Sequence, residues 1–277
     1  PKPLRLIMCG RRQPLLLLLT LTSTASWRRG KGGGNRHLPS GPVDYDAIAC
    51  KRCLTQVMRL LTPAARGCAD GNGTVIPSSS SSRVPTAYCD FLLPKKRQPV
   101  VYSFGVDNIW DFDKTMAIRG CDVISFDPFC CGAAHKISEN QEFVPIGLAS
   151  YDGLATSDDP RRQNVTYPVL TLKTIMEGYG HGKVDVLRMK VSGNMEWKGL
   201  KNLINTGGLE SVRQLSINMH MTDPSMWGEY RLILTSLKKA GFFPFYVAKQ
   251  PNADYLKIQE GPQALYSRYE VSYGSDV

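Results

Sequence analysis

Two positions in this 277-residue chain have the types and spacing to hold a nucleoside. Gly105 lies in the run Tyr102-Ser103-Phe104-Gly105-Val106-Asp107-Asn108, where a β-rich stretch gives way to a helical pattern. A glycine at such a turn lets the backbone bend sharply and approach a ligand closely. The free N–H groups that open the following helix point at the same place. Asp127 stands 22 residues further on, at the end of a second β-rich run and just before Pro128. An acid at about that distance is placed to accept hydrogen bonds from a ribose hydroxyl pair. No G-x-G-x-x-G accompanies them, so a pyrophosphate cradle is missing and a compact nucleoside is favoured over a dinucleotide. The competing reading is structural: Gly105 serves a tight turn and Asp127 caps the loop before Pro128.

The elements that must position these residues begin near Pro99. Val100–Val106 reads as a strand and 109–119 as a helix with Ile109, Phe112 and Met116 on one face, closed by Gly120. Strands follow at Cys121–Asp127, Phe143–Ala149, Asp185–Val191 and Ser211–Met221. Helices fall at Leu172–Tyr179, from about Met195 to Ile204, and at Met226–Ala240. Alternating strands and helices argue a doubly wound α/β fold with a mostly parallel sheet. Phe242–Ala248 and Ala264–Tyr273 have no helix between them, which argues an antiparallel last strand.

Ahead of this domain, 44–62 carries apolar residues at helical spacing, stopped by Pro63. Residues 27–43 are rich in Gly and Arg with no apolar period, and 69–86 hold Ser78–Ser82 between Pro77 and Pro85. The organisation read from this is a leader over 1–26, a mostly disordered or loosely structured extension over 27–86 with a short helix and Ser-rich linker, and an α/β domain over 87–277.

The net charge of +10 is not a nucleic-acid signal. Eight basic residues precede Asp44, the first acid, and without them 26 basic residues face 24 acidic ones. A phosphate-binding surface needs cations clustered on the folded domain, so no nucleic-acid partner is expected. Arg11 and Arg12 lead into Leu15–Leu19 and then the small residues Ser23–Ser26, the order of a secretory signal peptide; mitochondrial import is the runner-up. The apolar block is too short to span a bilayer, which takes about 20 residues. Cys50, Cys53, Cys68 and Cys89 suit two disulfides in an oxidising lumen, with three connectivities open and zinc as the rival reading. Cys121 reads as a buried strand residue. Asn72-Gly-Thr and Asn164-Val-Thr are acceptor patterns for N-glycosylation.

The segments Val100-Val-Tyr-Ser-Phe-Gly-Val-Asp, Ile109-Trp-Asp-Phe-Asp and Cys121-Asp-Val-Ile-Ser-Phe-Asp-Pro resemble the methyltransferase-like protein 24 family, in the FkbM-like branch of S-adenosylmethionine-dependent methyltransferases. The resemblance runs over about 87–274, through Pro145-Ile-Gly-Leu-Ala, Val184-Asp-Val-Leu-Arg-Met, Ile217-Asn-Met-His and Tyr269-Glu-Val-Ser-Tyr. It implies a seven-stranded Rossmann-like sheet, bound S-adenosylmethionine and export through the secretory pathway. The cofactor would lie against Ser103, Phe104, Gly105, Val106 and Asp107, with Asp127 and Pro128 at its ribose. One stretch departs from the family: Lys190 and Ser192 stand where acids are usual, an extra residue follows Gly193, and Asn218 replaces a Glu. A lysine there would repel a sulfonium.

Methyl transfer asks little of the protein, because the cofactor arrives activated. The chain must align the acceptor and exclude water, and a base is needed only where the acceptor loses a proton. Glu196 and His220 are the catalytic candidates, against Glu196 as a helix-start acid and His220 as a satisfied strand-end histidine. His135 and His181 read as loop residues, and Trp110, Trp197 and Trp227 as packing residues. The expected function is methyl transfer to an unidentified acceptor. The alternative is an inactive binding protein that keeps the fold in the secretory pathway.

Overall fold

In the computed structural model, the described residues are 47–69, 73–81, 83–157, 162, 164–191, 195–251, 253–256 and 265–275. The leader, the Gly/Arg-rich segment, the start of the 44–62 helix, Asn72 and Ser192-Gly193-Asn194 lie outside them.

The chain builds its sheet from the middle outward. Strand β1 (Val100–Phe104) leads to helix α2 (Asp111–Ile118) and strand β2 (Asp122–Phe126). A hairpin, β3 (His135–Ser138) and β4 (Gln141–Val144), follows. Then come helix α3 (Leu172–Tyr179), β5 (Val186–Met189), α4 (Met195–Asn205), β6 (Gln214–His220), α5 (Trp227–Lys239), β7 (Phe242–Lys249) and β8 (Arg268–Ser275). Helix α1 (Lys51–Leu60) precedes them all and packs on α5. The sheet order is β7-β8-β6-β5-β1-β2-β4-β3. Strands β6, β5, β1, β2 and β4 run parallel, while β8 is antiparallel to both β6 and β7. This is a doubly wound, Rossmann-like mixed sheet with the antiparallel last strand that the sequence pattern implies.

The sheet has eight strands where seven were expected. After Asp127 the chain makes no crossover helix; it returns as a hairpin, and β3 pairs antiparallel to β4 at the edge. His135, expected in a loop, therefore opens a strand. The expected strand 143–149 is divided at Pro145, which has no N–H to continue a ladder. Gly147–Leu148 pairs instead with Thr166–Leu170, which also pairs with Gly153–Thr156.

Residues 69–86 were expected to be a loose linker, but their described part is fastened to the domain. Thr74–Ile76 pairs with Thr86–Tyr88, and Cys68 is bridged to Cys89. Ser79 donates through its N–H and hydroxyl to Asp111 at the start of α2. Cys50 is bridged to Cys53 across the first turn of α1, and Cys130 to Cys131; with Cys50, Cys53, Cys68 and Cys89 all spent on disulfides, the zinc reading falls away. Cys121 is free and buried, as expected for a small hydrophobe on a strand. No described helix is long and apolar enough to cross a membrane.

Alternation along the strands divides the core. Tyr102, Phe104, Ile124, Phe126, Leu187 and Met189 face α1, α3, α4 and α5 in one continuous apolar cluster. The intervening residues Ser103, Ser125, Arg188, Ser216 and Glu270 are also buried. They meet α2 and the 74–88 segment instead.

Candidate functional site

At the carboxyl end of β1 the chain turns through three residues with positive φ: Gly105 (80°), Asp107 (48°) and Asn108 (58°). Such a run is costly for residues that carry a Cβ and marks a turn held in place by its surroundings. A Cβ on Gly105 would sit 2.0 Å from the carbonyl oxygen of Lys190, so glycine is required for this turn to pass the end of β5. The Asp127 carboxylate, 6% exposed, secures the turn from the other side. Its Oδ2 accepts from the N–H of Asp107 (2.9 Å) and its Oδ1 from the N–H of Phe129 (2.8 Å). Each oxygen keeps a further lone pair. Asp127 thus caps the loop before Pro128 and remains able to accept hydroxyl donors.

The other positions named with this turn are divided by the strand's alternation. Ser103 and Phe104 are fully buried: Ser103 Oγ accepts from Arg188 (2.9 Å), and Phe104 stacks on Phe126 at 4.5 Å. The Val106 side chain is also internal, so these three could meet a ligand only through their backbone. Asp107 is exposed and carries an ion pair with Arg83 (2.6 Å).

The second corner of the same edge joins residues 24 apart in sequence. Glu196, in the first turn of α4, is wholly buried, and its Oε1 accepts from the backbone N–H of His220 at 2.9 Å. The same oxygen lies 3.1 Å from His220 Nδ1. The neighbouring Trp197 Nε1 donates to the His220 carbonyl (2.8 Å). The backbone at the end of β6 is thereby held by α4 from two sides and the imidazole by Glu196, while about a quarter of the side chain stays exposed (23%). Glu196 Oε2 is buried and has no hydrogen-bond partner among the described residues. An ionised carboxylate only accepts, so against it Nδ1 carries the hydrogen and a neutral ring keeps the Nε2 lone pair for other use.

Lys190 does not carry a free charge into this edge. Its amine is buried, 3.7 Å from Glu270 Oε2, and Glu270 Oε1 accepts from Thr86 and Ser216. Burial pushes the Lys190 amine down to about 8, against the opposing pull of Glu270 and with further lowering by Arg188 and Arg83. Arg188 lies beside Asp113 (3.7 Å) and over the Phe112 ring. Burial raises Asp113 against the opposing effect of Arg188. Sequence reasoning did not single out Glu270, Arg188, Asp113 or Arg83. A Glu inside the strand run Tyr269-Glu-Val-Ser-Tyr was the available signal.

Among the described residues the concavities here are shallow. An open depression of about 280 Å³ is lined by Asn108, Trp110, Lys114, Cys131, His135 and Ile137. Trp110 packs edge-on to Phe143. Trp197 and Trp227 are core residues, and His181 is taken up by the Tyr102 hydroxyl. No group of three or more metal-ligating side chains occurs among the described residues.

Over 189 residues the chain is 33% identical to the human (Homo sapiens) Probable methyltransferase-like protein 24, an alignment covering 65% of this chain and 50% of that protein. The Rattus norvegicus protein of the same name is 31% identical, over 65% of this chain and 51% of its own length. The chain is similar to methyltransferase-like proteins. It spans about half the length of the curated relatives it matches. No protein-family model matches. Among solved structures, a SAM-dependent methyltransferase from Agrobacterium tumefaciens superposes with TM-score 0.32 at 10% identity, over 67% of this chain and 58% of that one. WbdD in complex with a kinase inhibitor gives 0.33 at 9% identity, over 83% and 42%. At such scores the fold assignment rests on strand order and direction, not on the superposition.

Proposed function

We propose that this chain is an S-adenosylmethionine-dependent methyltransferase of the secretory pathway. The observation that carries the reading is the pairing of the Gly105–Asn108 turn with Asp127 at the carboxyl ends of adjacent parallel strands, where open α/β sheets take their ligands. The turn suits this cofactor: backbone is presented without a side chain at Gly105, and Asp127 has acceptor capacity left for a ribose hydroxyl pair. When bound, S-adenosylmethionine supplies the activated methyl group. The chain's own part is to fix the donor at this turn and the acceptor near His220. Glu196 orients the imidazole, and His220 Nε2 takes the proton that the acceptor loses, a contribution of about 10²–10⁴ in rate. The pairing of Lys190 with Glu270 reduces the repulsion that an unpaired lysine would exert on a sulfonium. Three disulfides and the leader pattern support an oxidising lumen.

A second reading, a methyltransferase fold kept for binding alone, is favoured by the shallow concavity and by lysine at a position usually acidic. Calorimetric titration of the full chain with S-adenosylmethionine and S-adenosylhomocysteine separates the two. Micromolar binding that weakens at least tenfold in Asp127→Ala, with the unfolding midpoint monitored alongside, supports the cofactor site. No heat from either ligand on the folded wild-type chain leaves the binding-protein reading. His220→Gln should then preserve cofactor affinity and lower turnover on any acceptor found.

A further inference from the structure

We infer that Asn164 carries an N-linked oligosaccharide, standing on the arm that braces the Asp127 loop. The proposal rests on the secretory reading above. Asn164-Val165-Thr166 is an acceptor triplet without proline at its centre, a pattern that by itself is common. The structure adds three observations. All three residues are exposed, with Val165 at 45%, so a glycan at Asn164 meets solvent and not the core. Asn164 sits in a turn with φ 63°, a conformation that asparagine tolerates, and Thr166 opens the strand Thr166–Leu170. The disulfides Cys50–Cys53, Cys68–Cys89 and Cys130–Cys131 belong to the kind of compartment in which this modification is made.

The chemistry balances with one co-reactant, an oligosaccharide carried on a lipid diphosphate. The Asn164 side-chain nitrogen bonds to the anomeric carbon, and the bond from that carbon to the diphosphate oxygen breaks. The electron pair leaves with the lipid diphosphate, and the amide proton passes to base. The segment that carries the attachment point is tied to the candidate site through Phe129. Tyr167, three residues on, packs edge-on to Phe129 at 4.6 Å, and the Arg162 guanidinium lies 4.5 Å over the same ring. Phe129 is the residue whose N–H is held by Asp127. A bulky, hydrated chain here narrows the approach to the site from the side of this arm.

The full chain is translated, behind an initiator methionine, in the presence of microsomes, and two signals are read: protection from added protease and a mobility shift reversed by endoglycosidase. Protection with a shift that disappears in Asn164→Gln and persists in Thr166→Ser is the expected result. Protection with no shift, or with a shift abolished only by Asn72→Gln, overturns the Asn164 assignment while leaving the secretory reading intact. A chain left open to protease removes the secretory reading and the glycan with it.

Discussion

The two faces of the sheet are made by the same strands, and one is apolar throughout while the other mixes apolar and polar packing. Toward α1, α3, α4 and α5 the strands present Tyr102, Phe104, Phe126, Leu187, Met189 and Ile217, all buried in one apolar cluster. Toward α2 and the 74–88 segment they present Val101, Val123 and Val186 in a second apolar cluster with Ile76, Phe112 and Met116, and beside it Ser103, Ser125, Arg188, Ser216 and Glu270, equally buried and joined by hydrogen bonds and ion pairs. Burial of apolar area is non-directional and stabilises whatever packs well. A buried polar layer tolerates only the partners that satisfy it. The polar residues of that face therefore contribute position more than stability, which its apolar cluster supplies. It holds α2 and the 74–88 segment in register beside the Gly105 turn, which the candidate site requires.

That contrast can be broken at several points. The largest effect is expected where one partner of a buried ion pair is removed. Glu270→Ala leaves the Lys190 amine buried without a counter-charge and should lower unfolding free energy by about 3–5 kcal/mol in urea denaturation. Replacing both partners by apolar residues, Lys190→Met with Glu270→Leu, should recover most of the loss. If the double variant is as unstable as the single one, the buried ion pair contributes stability as well as position. Leu237→Ala on the apolar face should cost about 2–5 kcal/mol by the cavity it leaves, with no effect on ligand binding.

Gly105→Ala tests the link between face and site. The added Cβ meets the Lys190 carbonyl in a positive-φ turn, so about 1–3 kcal/mol of strain is expected together with loss of S-adenosylhomocysteine binding by calorimetry. A variant that binds normally would mean that the turn is structural only. Smaller still is the pH signature of Lys190. Its folded value of about 8 lies below its ordinary 10.5, so between those values the unfolded chain binds more protons and stability rises with pH. The buried Cys121 thiol, pushed up from 9.0 to about 11, opposes this from about pH 9, and the buried tyrosines Tyr88, Tyr230 and Tyr269, all raised above 10, oppose it near and beyond pH 10. Lys190→Met should flatten the rise between pH 8 and 10 in a series of denaturation curves.

What the sequence determined by itself was local or periodic. Alternating β-rich and helical runs specified a doubly wound domain, and Leu172–Tyr179 was legible to the residue because Thr171 caps it and Gly180 ends it in a left-handed turn. Gly105 and Asp127 could be read as a pair because one helix and one strand separate them by a nearly constant length. The β3–β4 hairpin was missed because a short run such as His135–Ser138 has too little alternation to declare a strand. The 69–86 segment read as loose because its serines and prolines carry no period. What holds it, the Cys68 bridge and Asp111, is remote in sequence.

Only the tertiary structure decided which distant residues meet. Glu196 reached His220 and Lys190 found Glu270, because strand order and register bring separate stretches together. A period-2 pattern states which residues share a face. It does not state which strand lies beside which, and that neighbour relation turns scattered acids and histidines into a site.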